Sequence, residues 1–177
     1  MSYFCGDHYR GQVNVVDPES DLKLGEMVYL TDKKALSGGG ETRYSSMHTH
    51  ARLVKNAGAA LTPGHTASWV AKTGMGTQVS GNAGNGVMID GIVDPDIPSG
   101  TTVATGDYFL LLVHGPATAI ASGAGMDVGQ FIIGGSVTGK IKTVAIGDAS
   151  GSGRILEDAD AKTNGATVRV FLMCEHP

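Results

Sequence analysis

The His48-Thr49-His50 motif is the part of this sequence whose residue types and spacing come nearest to a chemical site. Residues two apart on an extended strand lie on the same face, so both imidazoles would point one way, a spacing that can bind zinc or nickel. A closed site needs further ligands, but the other histidines are scattered and no CxxC or HExxH motif accompanies them: His8, His65, His114 and His176. The sequence therefore predicts no metal site, unless a trimer axis brings three copies of the motif onto one ion.

Two glycine-rich loops, at 81–86 and 147–153, have a composition that can approach a phosphate closely. Both lack the lysine of a P-loop, and neither precedes a predicted helix whose N-terminus would hold an anion. They are predicted to be turns.

Carboxylates and hydroxyls give no stronger chemical signal. Asp90, Asp94, Asp96 and Asp107 supply oxygens of the kind that calcium prefers, but their spacing is not that of an EF-hand, which favours solvated turn residues. No serine lies in a GxSxG motif. We therefore expect neither an enzyme nor a bound cofactor.

The positions of glycine describe the architecture. The 27 glycines fall between short β-branched and apolar runs, as expected for strands joined by tight turns. After an initial strand at Glu26–Leu30, strands are predicted near 51–56, 66–72, 76–80, 87–93, 107–114, 117–121, 130–133, 140–144, 153–157 and 166–174. The predicted fold class is all-β: an extended N-terminal arm (1–24), a short strand with a polar loop (25–50), and a small β-barrel or β-sandwich body (51–177).

Two sets of residues are candidates for contacts with other chains. Phe109 and Leu111 lie in a predicted strand that is apolar on both faces, which suggests cover by the core on one side and by a neighbouring subunit on the other. Tyr3, Phe4 and Tyr9 are aromatic residues in an arm that shows neither a helical nor a strand repeat of apolar residues. We expect the arm to become ordered only by packing on a neighbouring subunit or a larger surface, where these aromatic side chains would act as anchors.

Composition excludes several partners. A charged fraction of 17% and a net charge of −4 do not fit a nucleic-acid binder. The apolar runs are far shorter than the roughly 20 residues of a membrane helix, and the N-terminus lacks the pattern of a cleaved signal. A chain made in a reducing cytosol keeps its thiols free, so Cys5 and Cys174 are expected not to form a disulfide.

Several turn and strand-end motifs together resemble small head proteins of tailed bacteriophages. They are Lys55–Gly64, Trp69-Val70, Gly91–Pro95, Gly106–Leu110 and Val113–Ala117. The closing stretch, Gly153–Asp160 followed by Val168–Leu172, is similar to the last hairpin of phage capsid decoration, or cement, proteins. The resemblance covers roughly residues 51 to 174.

This resemblance implies a structural virion protein. It would form homotrimers, bind the major capsid protein on the outer surface of an icosahedral shell after synthesis in the host cytoplasm, and stabilise the shell against internal DNA pressure. The alternative is a β-sandwich module that binds glycans or another surface through loops 81–86 and 122–127. An aromatic content of 6% with one tryptophan, Trp69, favours the structural role, because glycan sites use aromatic platforms.

Overall fold

The computed structural model describes residues 4–5, 11–14, 22–35, 41–70, 74–81, 85–144, 151–157 and 164–174. In these ranges the chain forms strands and turns, which confirms the all-β class, and no helix there could span a membrane. The strands are β1 (Phe4–Cys5), β2 (Met27–Ala35), β3 (Glu41–Asn56), β4 (Thr66–Trp69), β5 (Gln78–Gly81), β6 (Gly91–Val93), β7 (Tyr108–Ile120), β8 (Phe131–Gly134), β9 (Ile141–Val144), β10 (Gly153–Ile155) and β11 (Thr167–Met173).

Five strands form a closed ring, called here the first ring. The order is β3-β5-β4-β6-β7, and β7 pairs back onto β3. All of these pairings are antiparallel except that between β3 and β5. Closure leaves the strands of this ring without a free edge along their paired lengths, which is how barrels avoid unpaired backbone groups.

The second ring starts from the other end of β7. There β7 pairs with β11, followed by β10, β8 and β9. A bridge between Ala121 and Ile141 returns β9 to the end of β7, and the Ser122 amide donates to the Ile141 carbonyl at 2.8 Å. The two rings therefore share β7, in agreement with the predicted barrel-like body.

β7 is one strand where the sequence predicted two, at 107–114 and 117–121. Gly115 has φ +89°, a conformation open to glycine but strained for other residues, and it redirects the strand without ending it. Pro116 follows after the last β3–β7 pair, His50 with His114, so its missing N–H is not needed by β3.

Residues 41–50 also differ from the prediction. The sequence suggested a polar loop there, but these residues form the first part of β3 and pair with β2, from Glu41 opposite Ala35 to His50 opposite Tyr29. Pairing with β2 satisfies the backbone hydrogen-bonding groups of this segment. The sequence did not reveal the strand because its side chains show no alternation of apolar and polar residues.

The core is one apolar cluster that extends through both rings. Phe109–Val113 of β7 lie in it with no residue more than 1% exposed, so both faces of this stretch are covered by the chain itself. The remaining members of the cluster come from strands of both rings, for example Val54 and Ile92 of the first ring and Ile132 and Val170 of the second. A shared strand buried on both sides explains the apolar run at 109–113 without a neighbouring subunit.

Candidate functional site

The predicted contact residues Phe109 and Leu111 are 1% and 0% exposed. A side chain enclosed by its own chain offers no surface to another, so the structure corrects their assignment as subunit or capsid contacts and places them in the core. The correction follows from cover by the core cluster of the chain itself, which the sequence did not reveal.

The predicted arm contacts are only partly within the described residues. Tyr3 and Tyr9 lie outside them, and their binding role stays a prediction. Phe4 belongs to β1, whose backbone runs parallel to β2 and pairs opposite Val28. Farther along, the Gly11 amide donates to Asp94 Oδ2 at 2.8 Å, so the described parts of the N-terminal region are bonded to their own chain.

Exposed apolar side chains cluster on the second ring. Val87 is 50% exposed and is joined to the end of β8 through the Gly134 amide, which donates to its carbonyl at 2.8 Å. Met88 follows Val87, and Val137 lies in the turn between β8 and β9; both are exposed. We call Val87, Met88 and Val137 the hairpin patch.

A second exposed pair, Val128 and Leu156, is on the same ring. Val128 is 57% exposed, and the amide of the next residue, Gly129, donates to the carbonyl of Ile155, which places the two side chains on adjoining turns. The sequence contained a signal for such residues that was not used: a large apolar side chain inside a predicted polar turn, as at Val137 between Ser136 and Thr138. This pair and the hairpin patch are two candidate contact surfaces on the second ring.

A row of rings crosses four adjacent strands. Tyr29 of β2 contacts His50 of β3 edge to face with centroids 4.5 Å apart, and His50 stacks on His114 of β7 at 4.9 Å with 27° between the planes. His114 meets Phe171 of β11 at 5.3 Å. Sequence reasoning treated His114 as isolated because 64 residues separate it from His50, whereas strand register makes them neighbours.

A cavity of about 260 Å³ lies between the first ring and the β8–β9 turn. Its lining is mostly apolar, with Ala59, Leu61 and Gly81 beside the polar residues His65 and Thr66. The Thr66 hydroxyl is buried and makes no hydrogen bond to the residues that the structure describes. Burial, and to a smaller extent the charge of Lys140, lowers the pKa of His65 below its usual 6.5.

We expect the stability of the fold to decrease in mildly acidic solution partly because of His65. Its folded pKa is lowered, so below about pH 6.5 the unfolded chain binds a proton more readily than the folded one, and the stabilisation present above that pH is lost as pH falls through the folded pKa. Thermal unfolding at pH 7.5 and pH 5.0 tests this. His65→Asn should show a smaller loss between the two pH values than the unmodified protein, and an equal loss would contradict the prediction.

The carboxylates of Asp90 and Asp94 accept hydrogen bonds from backbone amides. Asp94, 1% exposed, accepts hydrogen bonds from the Gly11 and Asp96 amides, and Asp90 accepts one from the Trp69 amide. Asp94 begins a turn, since its carbonyl accepts the Ile97 amide, but it is buried instead of solvated, and Asp90 lies outside a turn with its amide bonded to the Ala67 carbonyl. Among the described side chains, no group of three or more His, Cys, Asp or Glu is arranged to hold a metal ion.

Cys174 lies within the core, and Trp69 packs against it. Trp69 is partly buried and packs against the core, which supports the anchor role over a sugar platform. Cys174 is a free thiol, as predicted, and burial raises its pKa to about 12. The Cys5 side chain lies outside the described part.

Comparison with known proteins adds one likeness of fold. No protein-family model matches the sequence, and no curated protein matches it. Among solved structures, the chain is similar to the N base of the head fiber gp8.5 of bacteriophage phi29, with a TM-score of 0.50 and 13% identity, over 71% of this chain and 98% of that chain. At this identity the similarity concerns the fold, which nearly the whole of the head fiber base shares with this chain.

Proposed function

We propose that this chain is a structural protein of a phage virion that binds the outer surface of the capsid and stabilises it. The observation that supports this most directly is the fold shared with the base of a phage head fiber. The turn motifs that resemble those of capsid decoration proteins are independent of that comparison, since they were found in the sequence alone.

The surface of the second ring suits such a role. The hairpin patch and the Val128–Leu156 pair expose apolar groups on turns, where they can enter a shallow depression of a shell without rearranging the core. We propose the major capsid protein as the partner. The proposed role needs no catalytic turnover, because a protein that binds the assembled shell and not its dissociated parts stabilises it by mass action.

A homotrimer remains part of the proposal, but its contacts are reassigned. The core position of Phe109 and Leu111 removes them as contacts, so we propose the exposed apolar turns for this purpose as well. Several weak contacts per trimer would then act together, which gives durable attachment without any single tight contact.

A base that carries a fiber is the second candidate function. It is favoured by the nature of the similar structure, which is the N base of a head fiber, and it uses the same capsid contact. The two candidates predict different effects on the capsid. A cement protein raises the temperature at which the capsid releases DNA, whereas a fiber base binds the capsid without changing that temperature.

The test compares capsids with and without the protein. We expect saturating protein to bind at fixed stoichiometry and to raise the temperature at which the particles release DNA. The double variant Val87→Asp/Val137→Asp should lose binding while remaining folded, since it places carboxylates on the hairpin patch. Met75→Asp is the matched control, because Met75 is 70% exposed on the turn before β5, in the first ring.

The outcomes separate the candidates. Binding with unchanged DNA release would contradict the cementing role and favour a fiber base. Absence of binding to capsids would contradict both. Equal binding by the hairpin-patch variant and the Met75 control would place the contact elsewhere and overturn the assignment of this surface.

A further inference from the structure

We propose that the cavity between the first ring and the β8–β9 turn binds a small uncharged molecule that carries a hydroxyl group on an apolar body, as a phenol does. This ligand site does not depend on the capsid role. Three features of the cavity support it: its size, the hydroxyl groups on one of its sides, and the uncharged character of its described lining.

The size of the cavity suits a molecule with one ring. Its volume of about 260 Å³ lies just below the range of about 300–1,000 Å³ for sites that hold drug-sized ligands. An apolar cavity of about 150 Å³ is already large enough for benzene. Ala59, Ala60 and Leu61 contribute apolar lining that would remove such a ring from water. The remaining room is enough for a polar substituent.

Hydroxyl groups lie on the side of the cavity that β4 and β5 form. Thr66 and Ser80 both line the cavity. Ser80 pairs opposite Ser68, and Thr66 is two residues from Ser68 on the same strand. The three side chains therefore share one face of this antiparallel pair of strands.

Two of these hydroxyls have no hydrogen-bond partner among the residues that the structure describes. Thr66 is 0% exposed, and Ser68 Oγ is buried as well. Buried polar groups in folded proteins are nearly always hydrogen-bonded, because an unpaired group loses its hydration without compensation. Since Thr66 lines the cavity and its hydroxyl can rotate about χ1, a ligand hydroxyl there can both donate to it and accept from it. The ligand would pair a group that the fold leaves unpaired.

The described lining of the cavity carries no charge at neutral pH. Its titratable residue is His65, whose pKa is lowered by burial and, to a smaller extent, by the charge of Lys140, so the ring is neutral at pH 7. The Lys140 ammonium is outside this lining and donates to Asn164 Oδ1 at 2.8 Å. A charged ligand would lose its hydration here without gaining a counter-ion, which is unfavourable. An uncharged hydroxyl compound fits, because hydroxyls and neutral imidazole both donate and accept.

The experiment titrates phenol, and separately toluene, into the full chain labelled with ¹⁵N at pH 7.5. The two compounds have nearly the same size, and toluene measures the affinity of the apolar part of the cavity alone. We expect one phenol to bind per chain, with changes in amide chemical shift centred on the cavity lining, at His65, Thr66, Ser80 and Gly139.

Two variants test the hydroxyls. Thr66→Val replaces a hydroxyl by a methyl group of nearly equal size, so its Tm should be no lower than that of the unmodified protein if the hydroxyl is unpaired. It should bind phenol about 3- to 10-fold more weakly, the contribution of one neutral hydrogen bond, and toluene at least as well. Ser80→Ala tests the second hydroxyl in the same way. Thr167→Val makes the same chemical change as Thr66→Val at an exposed position of β11, and it should leave both affinities unchanged.

Three results would overturn the proposal. One is the absence of saturable phenol binding, or binding whose chemical-shift changes lie away from the cavity. Another is equal phenol affinity in the unmodified protein, Thr66→Val and Ser80→Ala, which would show that the hydroxyls take no part in binding. The third is a lower Tm of Thr66→Val than of the unmodified protein, which would show that a resident water already pairs the Thr66 hydroxyl.

Discussion

Phe109→Ala should reduce the free energy of unfolding by about 3–5 kcal/mol, the range for removal of a buried aromatic side chain. Phe109 is 1% exposed on the strand that both rings share, so the cavity would lie at the centre of the one core cluster. The buried side chains around the space can collapse into it only in part, because the strands that carry them are held by backbone pairing. Urea unfolding followed by circular dichroism would measure the loss.

Val128→Ala is the control for Phe109→Ala. Val128 is 57% exposed in a turn, and its truncation should change stability by no more than about 0.5 kcal/mol. Phe109→Leu keeps much of the apolar volume, so its free energy of unfolding should decrease less than that of Phe109→Ala. This variant can be measured even if the alanine variant does not fold. If Phe109→Ala left the stability of the chain unchanged but altered its oligomeric state, Phe109 would belong to an interface after all.

The sequence predicted local structure well where glycine and apolar alternation mark it. The segments that form β4, β8, β9 and β11 were predicted near their observed bounds, since each is a short run containing β-branched or aromatic residues between turn residues. The prediction was wrong where tertiary pairing overrides local signals. Gly115-Pro116 has the composition of a turn yet lies within β7, and Val87–Asp90 has the composition of a strand yet only 91–93 form one.

The candidate sites depend on long-range neighbours, and this limited what the sequence could predict. His50 and His114 are brought together by register across β3 and β7, which no local pattern encodes. Likewise, the apolar run at 109–113 suggested a subunit contact because the sequence does not reveal that the core of the same chain covers both of its faces. Burial on two sides can be inferred from composition, but whether the cover comes from the same chain or from another cannot.

Gly91→Ala is expected to destabilise the fold because of this close packing around β7. Gly91 lies in β6, and a Cβ there would stand 2.6 Å from Leu111 Cγ and 2.7 Å from the Leu112 carbonyl oxygen. The oxygen belongs to a strand that pairs on both sides, with β6 and with β3, so it cannot move without disturbing the first ring. We expect a loss of about 1–3 kcal/mol, as for other overpacked core positions.

Gly123→Ala makes the same chemical change in open space and gives the contrast. No atom lies within 4 Å of a Cβ at Gly123, and this residue is not among those with positive φ. Alanine there should be neutral or stabilising by about 0.4–1 kcal/mol, because it restricts the unfolded chain without a clash. The urea midpoint should therefore be lower for Gly91→Ala than for the unmodified protein, and equal or higher for Gly123→Ala. Equal shifts would mean that β6 and β7 are not packed as closely as the ring requires.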